Sequence, residues 1–211
     1  SFSNHDAPRH VTRWGEGRDK DQVARLTMLL LACLRGNIFV YQGEELGLEQ
    51  AYVPFERLQD PEAIANWPQT LGRDGARTPL PWTSDAPWGG FSTVEPWLPI
   101  DPKHLPLSVE VQETDGSSML QWARNILELR KQYPAIRHGD ITMLETEDNL
   151  LAFERQADGQ RMLCVFNLTD DAIDWTPVSP EGWRLVRGLG PRTPKPPHQL
   201  PPLSGYVAIA E

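Results

Sequence analysis

The sequence predicts an α/β region, residues 1–138, followed by a small all-β domain, residues 140–211. Short apolar segments at 1–5 and 37–41 flank an almost entirely apolar helix at about 21–35. This strand–helix–strand order is typical of a parallel sheet covered by helices. From residue 140 onward, apolar and polar residues alternate in short segments separated by turn residues. That alternation indicates antiparallel strands.

Local signals support each predicted element. The helix at 21–35 is apolar on all sides, which indicates burial, and Asp19 or Asp21 can cap it before Gly36 ends it. A second helix at about 117–133 carries its apolar residues on one stripe and ends at Pro134. Five segments of the β domain predict strands, and Asp158-Gly159 between two of them predicts a tight hairpin: ITMLET, LLAFER, RMLCVFNL, WRLVR and GYVAIA.

A long irregular segment, about 47–116, is rich in proline and tryptophan. Its tryptophans argue against disorder, and a loop of this length in a compact protein is usually functional. Two interpretations stay open for the four tryptophans of this segment: their flat faces bind the C–H surfaces of sugars, or they form a small core within the loop itself. They are Trp67, Trp82, Trp88 and Trp97.

Composition excludes several classes of protein. The net charge is −9 with both signs scattered along the chain, so we expect no nucleic-acid partner. No apolar run reaches the roughly 18 residues of a membrane span, and we expect no membrane partner. Cys33 and Cys164 lack the spacing of a zinc or redox site, so we expect two buried free thiols and a cytoplasmic protein. A small polar substrate is compatible with this balance.

Polar side chains follow the two predicted strands where each one ends. His5 and Asp6 end the first strand, and Gln42, Glu44 and Glu45 follow the second. Because the carboxyl ends of parallel strands meet at one edge of the sheet, these side chains are expected to lie on the same face. Two such clusters favour a functional site over isolated structural hydrogen bonds.

Five motifs in this order resemble the α-amylase superfamily of glycoside hydrolases, and within it the α-glucosidase and oligo-1,6-glucosidase branch: FSNHD, YQGEELG, GRDGARTPLPW, GGFS and EPWLP. The resemblance covers essentially the whole chain. It implies the last part of a (β/α)8 TIM barrel, with strands 7 and 8, a β8–α8 loop at 47–116 and the last helix. A C-terminal antiparallel β-sandwich domain at 140–211 then follows.

The resemblance also implies roles for four residues. Asp6 matches the carboxylate that stabilises the transition state, beside a nucleophilic Asp and a general-acid Glu that we expect outside this chain. His5 matches a histidine that hydrogen-bonds sugar hydroxyls, and Arg73 an arginine that holds the non-reducing glucose. Arg77 is a further substrate-binding candidate, with loop bracing as its other interpretation. Arg9 is expected to brace the loop after Asp6, and Glu44 and Glu45 are expected to be mainly structural.

The expected protein is a retaining exo-acting α-glucosidase acting on short oligosaccharides such as maltose or isomaltose. We expect the chain to be its C-terminal part, inactive alone, with the N-terminal remainder of the enzyme as its partner. No cofactor and no metal ligand are expected here, although the full enzyme could hold a structural calcium elsewhere. Two alternatives stay open: a glucosyl-transferring or sugar-isomerising relative of the trehalose or sucrose isomerase type, and a non-catalytic interaction module with the same fold.

Overall fold

The computed structural model describes residues 1–70, 72–146, 149–175, 182–189 and 194–211. Their contacts form two compact units, one of residues 1–24 and 39–124 and one of residues 25–38 and 125–211. The second unit therefore combines helical residues with the C-terminal sheet. The expected boundary at 138–140 concerns the organisation of the chain, and it stays a prediction.

Helices occupy most of the regular structure before residue 139. The described residues form α1 (His10–Trp14), α2 (Lys20–Cys33), α3 (Pro61–Ala65), α4 (Val109–Thr114), α5 (Met119–Gln132) and α6 (Pro134–His138). The predicted helices at 21–35 and 117–133 correspond to α2 and α5. Asp19 Oδ1 accepts the N–H of Gln22, 3.1 Å away, and so caps α2 as expected. None of the helices in the described part of the chain is long and apolar enough to cross a bilayer.

The two predicted strands at 1–5 and 37–41 are absent. Residues 1–5 contribute only an isolated bridge between Asn4 and Ala7, and 37–41 have no regular structure. Phe39 is 68% exposed, although the apolar run predicts burial. The physical reason is that a strand needs a hydrogen-bonded neighbour, and in the described residues these two segments pair with no other strand.

The irregular segment 47–116 contains two of the short α-helices and several short stretches of 3₁₀ helix: Phe55–Arg57, Asp74–Ala76, Pro87–Gly90 and Pro102–Leu107. It also has an apolar cluster of its own, formed by Val53, Leu58, Ala63 and Leu98, with Trp67 packed against it. Trp67 therefore belongs to a small core, whereas Trp82 and Trp97 are exposed. The core interpretation is therefore confirmed for Trp67, and sugar binding by the exposed tryptophans stays a prediction.

The C-terminal part forms a five-stranded antiparallel sheet and a two-stranded sheet. The strands are β1 (Asp140–Met143), β2 (Leu150–Ala157), β3 (Gln160–Asn167), β4 (Ile173–Asp174), β5 (Trp183–Leu189), β6 (Gln199–Leu200) and β7 (Ser204–Ala210). Their order is β1-β2-β3-β7-β5 in the large sheet and β4-β6 in the small one. All five segments predicted to be strands overlap strands, and Asp158-Gly159 turns between β2 and β3 with positive φ at both residues.

Both faces of the large sheet are covered. Leu163, Val165 and Tyr206 point to one face, where Leu200 of β6 joins their cluster. On the other face, Arg155 donates to the carbonyl of Cys33 at the end of α2. The expected antiparallel sheet is therefore confirmed. In the described residues one face packs against the two-stranded sheet and the other against the end of α2. Both cysteines are buried and free, as expected.

Candidate functional site

A turn at residues 4–7 presents Asp6. The side-chain Oδ1 of Asn4 accepts the N–H groups of Asp6 and Ala7, at 2.8 and 2.9 Å. Such a contact is an Asx turn, in which a short polar side chain replaces a backbone acceptor. The Asp6 side chain is 55% exposed and His5 Nε2 lies 3.2 Å from its Oδ2. The turn therefore holds a carboxylate and an imidazole together at the surface.

Two guanidinium groups approach the other oxygen of Asp6. Arg77 Nη2 donates to Asp6 Oδ1 at 2.8 Å, and Arg77 Nε donates to the His5 carbonyl at the same distance. Arg73 Nη1 lies 3.5 Å from Asp6 Oδ1. Arg77 thus braces the turn and contacts the carboxylate, in agreement with the bracing interpretation, and substrate binding by Arg77 stays a prediction. The structure brings together all four predicted residues: His5, Asp6, Arg73 and Arg77.

Arg73 is held from behind by a buried carboxylate, Asp60. Arg73 Nε and Nη2 donate to Asp60 Oδ2 and Oδ1 at 3.0 and 2.8 Å. This is the two-pronged geometry that makes arginine–carboxylate pairs strong. Hydrogen bonds from Arg73 hold the pKa of Asp60 well below its usual range. The same hydrogen bonds raise the pKa of Arg73. These hydrogen bonds therefore favour the ionised form of Asp60.

The backbones at 59–60 and 73–74 are linked in both directions. The N–H of Arg73 donates to Asp60 Oδ2 at 2.8 Å. In return, Asp74 Oδ2 accepts the N–H groups of Gln59 and Asp60, at 2.7 and 2.9 Å. The side chain of each buried aspartate, Asp60 or Asp74, thus accepts backbone N–H groups of the segment that contains the other. Asp60 also accepts the N–H of Glu62 and is the N-cap of α3.

Arg9 is buried and connects three segments of the chain. Its side chain donates to the carbonyls of Gln42 and Ala76, and its guanidinium lies over the ring of Tyr41, 5.4 Å from the centroid. Burial lowers the pKa of Arg9, while Tyr41, Glu45 and Glu44 act in the opposite direction. These contacts agree with the expected bracing role.

The carboxylates after residue 41 are tied to local partners. Glu44 Oε1 lies 3.0 Å from His10 Nδ1, and Glu44 Oε2 accepts the N–H of Tyr41 at 2.9 Å. Burial alone would raise the pKa of Glu44, but these hydrogen bonds and one with Ser3 bring it below its ordinary value. Glu45 Oε2 accepts the N–H of Gly43, and burial raises the pKa of Glu45. Both carboxylates have structural partners, as expected.

This arrangement can bind hydroxyl groups and stabilise positive charge. Asp6 offers an exposed acceptor, while His5 and the arginines offer donors beside it. In the described ranges, no group of three or more His, Cys, Asp or Glu side chains is arranged to hold a metal ion. Sequence reasoning missed Asp60, which is 54 positions from Asp6. Its local signal was Asp-Pro at a helix start, which predicts a cap and gives no indication of the arginine.

Comparison with known proteins agrees with these motifs. The family model described as Alpha amylase, catalytic domain, matches residues 1–139. A probable alpha-glucosidase of Rhizobium meliloti (strain 1021) is 48% identical over 173 residues, which cover 82% of this chain and 31% of that protein. An oligo-1,6-glucosidase of Halalkalibacterium halodurans is 31% identical over 193 residues, 82% of this chain and 34% of that protein. The chain spans about a third of the length of these curated relatives.

Solved structures share the fold. The alpha-glucosyl transfer enzyme XgtA superposes with a TM-score of 0.87 at 40% identity, covering 99% of this chain and 39% of that one. Trehalulose synthase MutB from Pseudomonas mesoacidophila MX-45 gives a TM-score of 0.84 at 24% identity, covering 99% and 42%, a likeness of fold alone. The antiparallel sheet and the helical region before it thus match part of the alpha-amylase fold. By its family match and its relatives, this chain belongs to the alpha-amylase family.

Proposed function

We propose that this chain is the C-terminal part of a retaining exo-acting α-glucosidase that hydrolyses terminal α-glucosidic bonds of short oligosaccharides such as maltose or isomaltose. The observation that carries the proposal is the exposed Asp6 carboxylate, contacted by His5, Arg73 and Arg77. The names of the curated relatives support the same activity.

The chemistry assigns Asp6 a transition-state role. Cleavage of a glycosidic bond passes through an oxocarbenium-like state, and retention needs a carboxylate nucleophile and a carboxylic acid. An ionised carboxylate that binds ring hydroxyls contributes most when the ring flattens and becomes positive. His5 and the exposed side of Arg73 donate to sugar hydroxyls in this proposal. In this proposal the nucleophile and the general acid come from outside these 211 residues, as the family resemblance implies. The other carboxylate of the network, Asp60, is buried and bound to Arg73.

A transferring or isomerising enzyme is the second candidate. XgtA, an alpha-glucosyl transfer enzyme, is 40% identical over almost the whole chain. Transfer and hydrolysis share the glycosyl-enzyme step and differ in whether water or a second sugar accepts the glucosyl group. The residues that choose the acceptor therefore decide between the candidates.

Product analysis of the full-length protein tests the proposal. The protein is incubated with maltose, isomaltose and sucrose, and the products are followed by NMR, which also reports the anomer first released. We expect glucose, released first as the α-anomer. Asp6→Asn should lower kcat by at least roughly a hundredfold with a smaller change in KM. Asp85→Asn, in the same unit but outside the site, is the matched control.

Two results would contradict the proposal. Accumulation of longer glucosides or of an isomer, in place of glucose, would favour the transferring or isomerising enzyme. A protein that turns over none of the three sugars would support the non-catalytic module instead.

A further inference from the structure

We infer that Asp60 is a positioning residue for this site, and that it acts by holding the Arg73 guanidinium beside Asp6. The inference rests on the proposed function, and it goes beyond it by adding a buried residue that touches no substrate. Asp60 is fully buried at its side chain, whereas the Arg73 side chain is 42% exposed. Arg73 therefore connects a fixed interior anchor with the surface where a sugar would bind.

The contacts restrict the orientation of the guanidinium. Nε and Nη2 of Arg73 are both engaged by Asp60, at 3.0 and 2.8 Å. Because the group is planar, two hydrogen bonds along one edge fix its plane and its direction. Nη1 then points to Asp6 Oδ1, 3.5 Å away. Without the anchor, the long side chain would be free to turn and pair fully with Asp6.

Asp60 also balances the charge around Asp6. Arg73 and Arg77 both contact Asp6, so these three groups alone carry a net positive charge. The Asp60 carboxylate brings the balance to two anions and two cations. A site that develops positive charge on the sugar is disfavoured by an uncompensated cation. Loss of the Asp60 charge should therefore slow the reaction more than it weakens substrate binding.

Gly72, the residue before Arg73, packs closely against the Asp60 carboxylate. A Cβ at Gly72 would lie 2.7 Å from Asp60 Oδ2 and 2.5 Å from the Cβ of Ala63. Gly72 has a φ of +58°, a conformation that glycine adopts at little cost. The chain therefore passes directly over the carboxylate, and this approach places the Arg73 N–H on Asp60 as well.

A double-mutant cycle in the full-length protein tests the inference. The variants are Asp60→Asn, Arg73→Gln and the double variant, measured for kcat and KM with the substrate that the wild type turns over. We expect Asp60→Asn to lower kcat by roughly tenfold to a hundredfold, with a smaller effect on KM. We expect the double variant to match Arg73→Gln within about threefold, because Asp60 holds and neutralises the Arg73 guanidinium and has nothing to hold or neutralise once that guanidinium is removed.

The controls separate positioning from general stability. Asp101→Asn removes another buried carboxylate, one that accepts the N–H groups of Tyr52 and Lys103, and should leave kcat unchanged. Arg73→Gln leaves the buried Asp60 carboxylate without its cation. If that variant does not fold, the double variant, which has no buried unpaired charge, serves as the reference without the arginine, and Asp60→Asn should lower kcat no further than the double variant does. Independent effects that multiply, or an unchanged kcat in Asp60→Asn, would overturn the inference.

A spectroscopic measurement tests the role of Asp60 without relying on the proposed activity. The Nε–Hε resonance of Arg73, assigned by its loss in Arg73→Lys, should exchange slowly in the wild type and fast in Asp60→Asn. If the wild type hydrolyses none of the sugars, the proposed function fails and this resonance alone decides. Slow exchange that persists in Asp60→Asn would show that Asp60 does not hold the arginine.

Discussion

Replacing Gly72 by alanine tests the packing over the Asp60 carboxylate. The added Cβ would meet the Cβ of Ala63 at 2.5 Å and Asp60 Oδ2 at 2.7 Å, about 1 Å inside an ordinary contact. A left-handed residue other than glycine costs about 1 kcal/mol, and relieving the overlap costs about 1–3 kcal/mol more. We therefore expect Gly72→Ala to lower the free energy of unfolding by about 2–4 kcal/mol.

The matched control is Gly17→Ala. Gly17 has a φ of +72°, and a Cβ there meets no atom within 4 Å, so only the backbone cost of about 1 kcal/mol applies. Urea unfolding followed by tryptophan fluorescence gives both values, because Trp14, Trp67, Trp82, Trp88 and Trp97 all belong to the unit that contains Gly72. Equal losses for the two variants would refute the steric argument. Because the displaced carboxylate holds Arg73, kcat should also fall in Gly72→Ala and stay unchanged in Gly17→Ala.

Two further predictions concern the interior. Burial lowers the pKa of His104, so at acidic pH the unfolded state binds more protons than the folded state. The free energy of unfolding should therefore be full above about pH 6.5 and fall as the pH decreases below it. His104→Gln should reduce this slope in unfolding measured from pH 8 to 5, and an unchanged slope would contradict the role of this ring. Arg130 donates to the carbonyls of Ala32, Leu34 and Gly36, in and just after the last turn of α2. Arg130→Met should lower the free energy of unfolding by about 2–4 kcal/mol, and Arg130→Leu should give a similar loss. An unchanged urea midpoint would show that water replaces the arginine.

The local sequence pattern was enough to predict helices, whose backbone hydrogen bonds are internal, and hairpins, whose two strands are neighbours in the sequence. The helix at 117–133 was predicted from its apolar stripe, and its end at Pro134 was correct within two residues. The hairpin at Asp158-Gly159 follows from residues that adopt positive φ readily. By contrast, the apolar run at 37–41 predicted a buried strand that is not formed, because burial and strand pairing depend on neighbours that a local pattern does not contain.

For the candidate site, the sequence likewise supplied the residues and the structure supplied their contacts. The motifs NHD and GRDGARTP made His5, Asp6, Arg73 and Arg77 candidates, because these residues lie within stretches that resemble a known family. Their proximity was a consequence of that resemblance, and the structure supplies the distances.

The amino-acid sequence by itself thus determined the two long helices, the alternating strands of the C-terminal sheet and the candidates for the exposed site residues. Only the tertiary structure decided which buried groups hydrogen-bond to the site residues and to the segments that carry them. Asp60 reaches Arg73 across 13 positions of an irregular segment, and Arg9 reaches the carbonyl of Ala76 across 67. Such partners are chosen by long-range chain geometry and by the need of every buried charge for a counter-charge or hydrogen bonds. Neither requirement leaves a periodic pattern in the sequence.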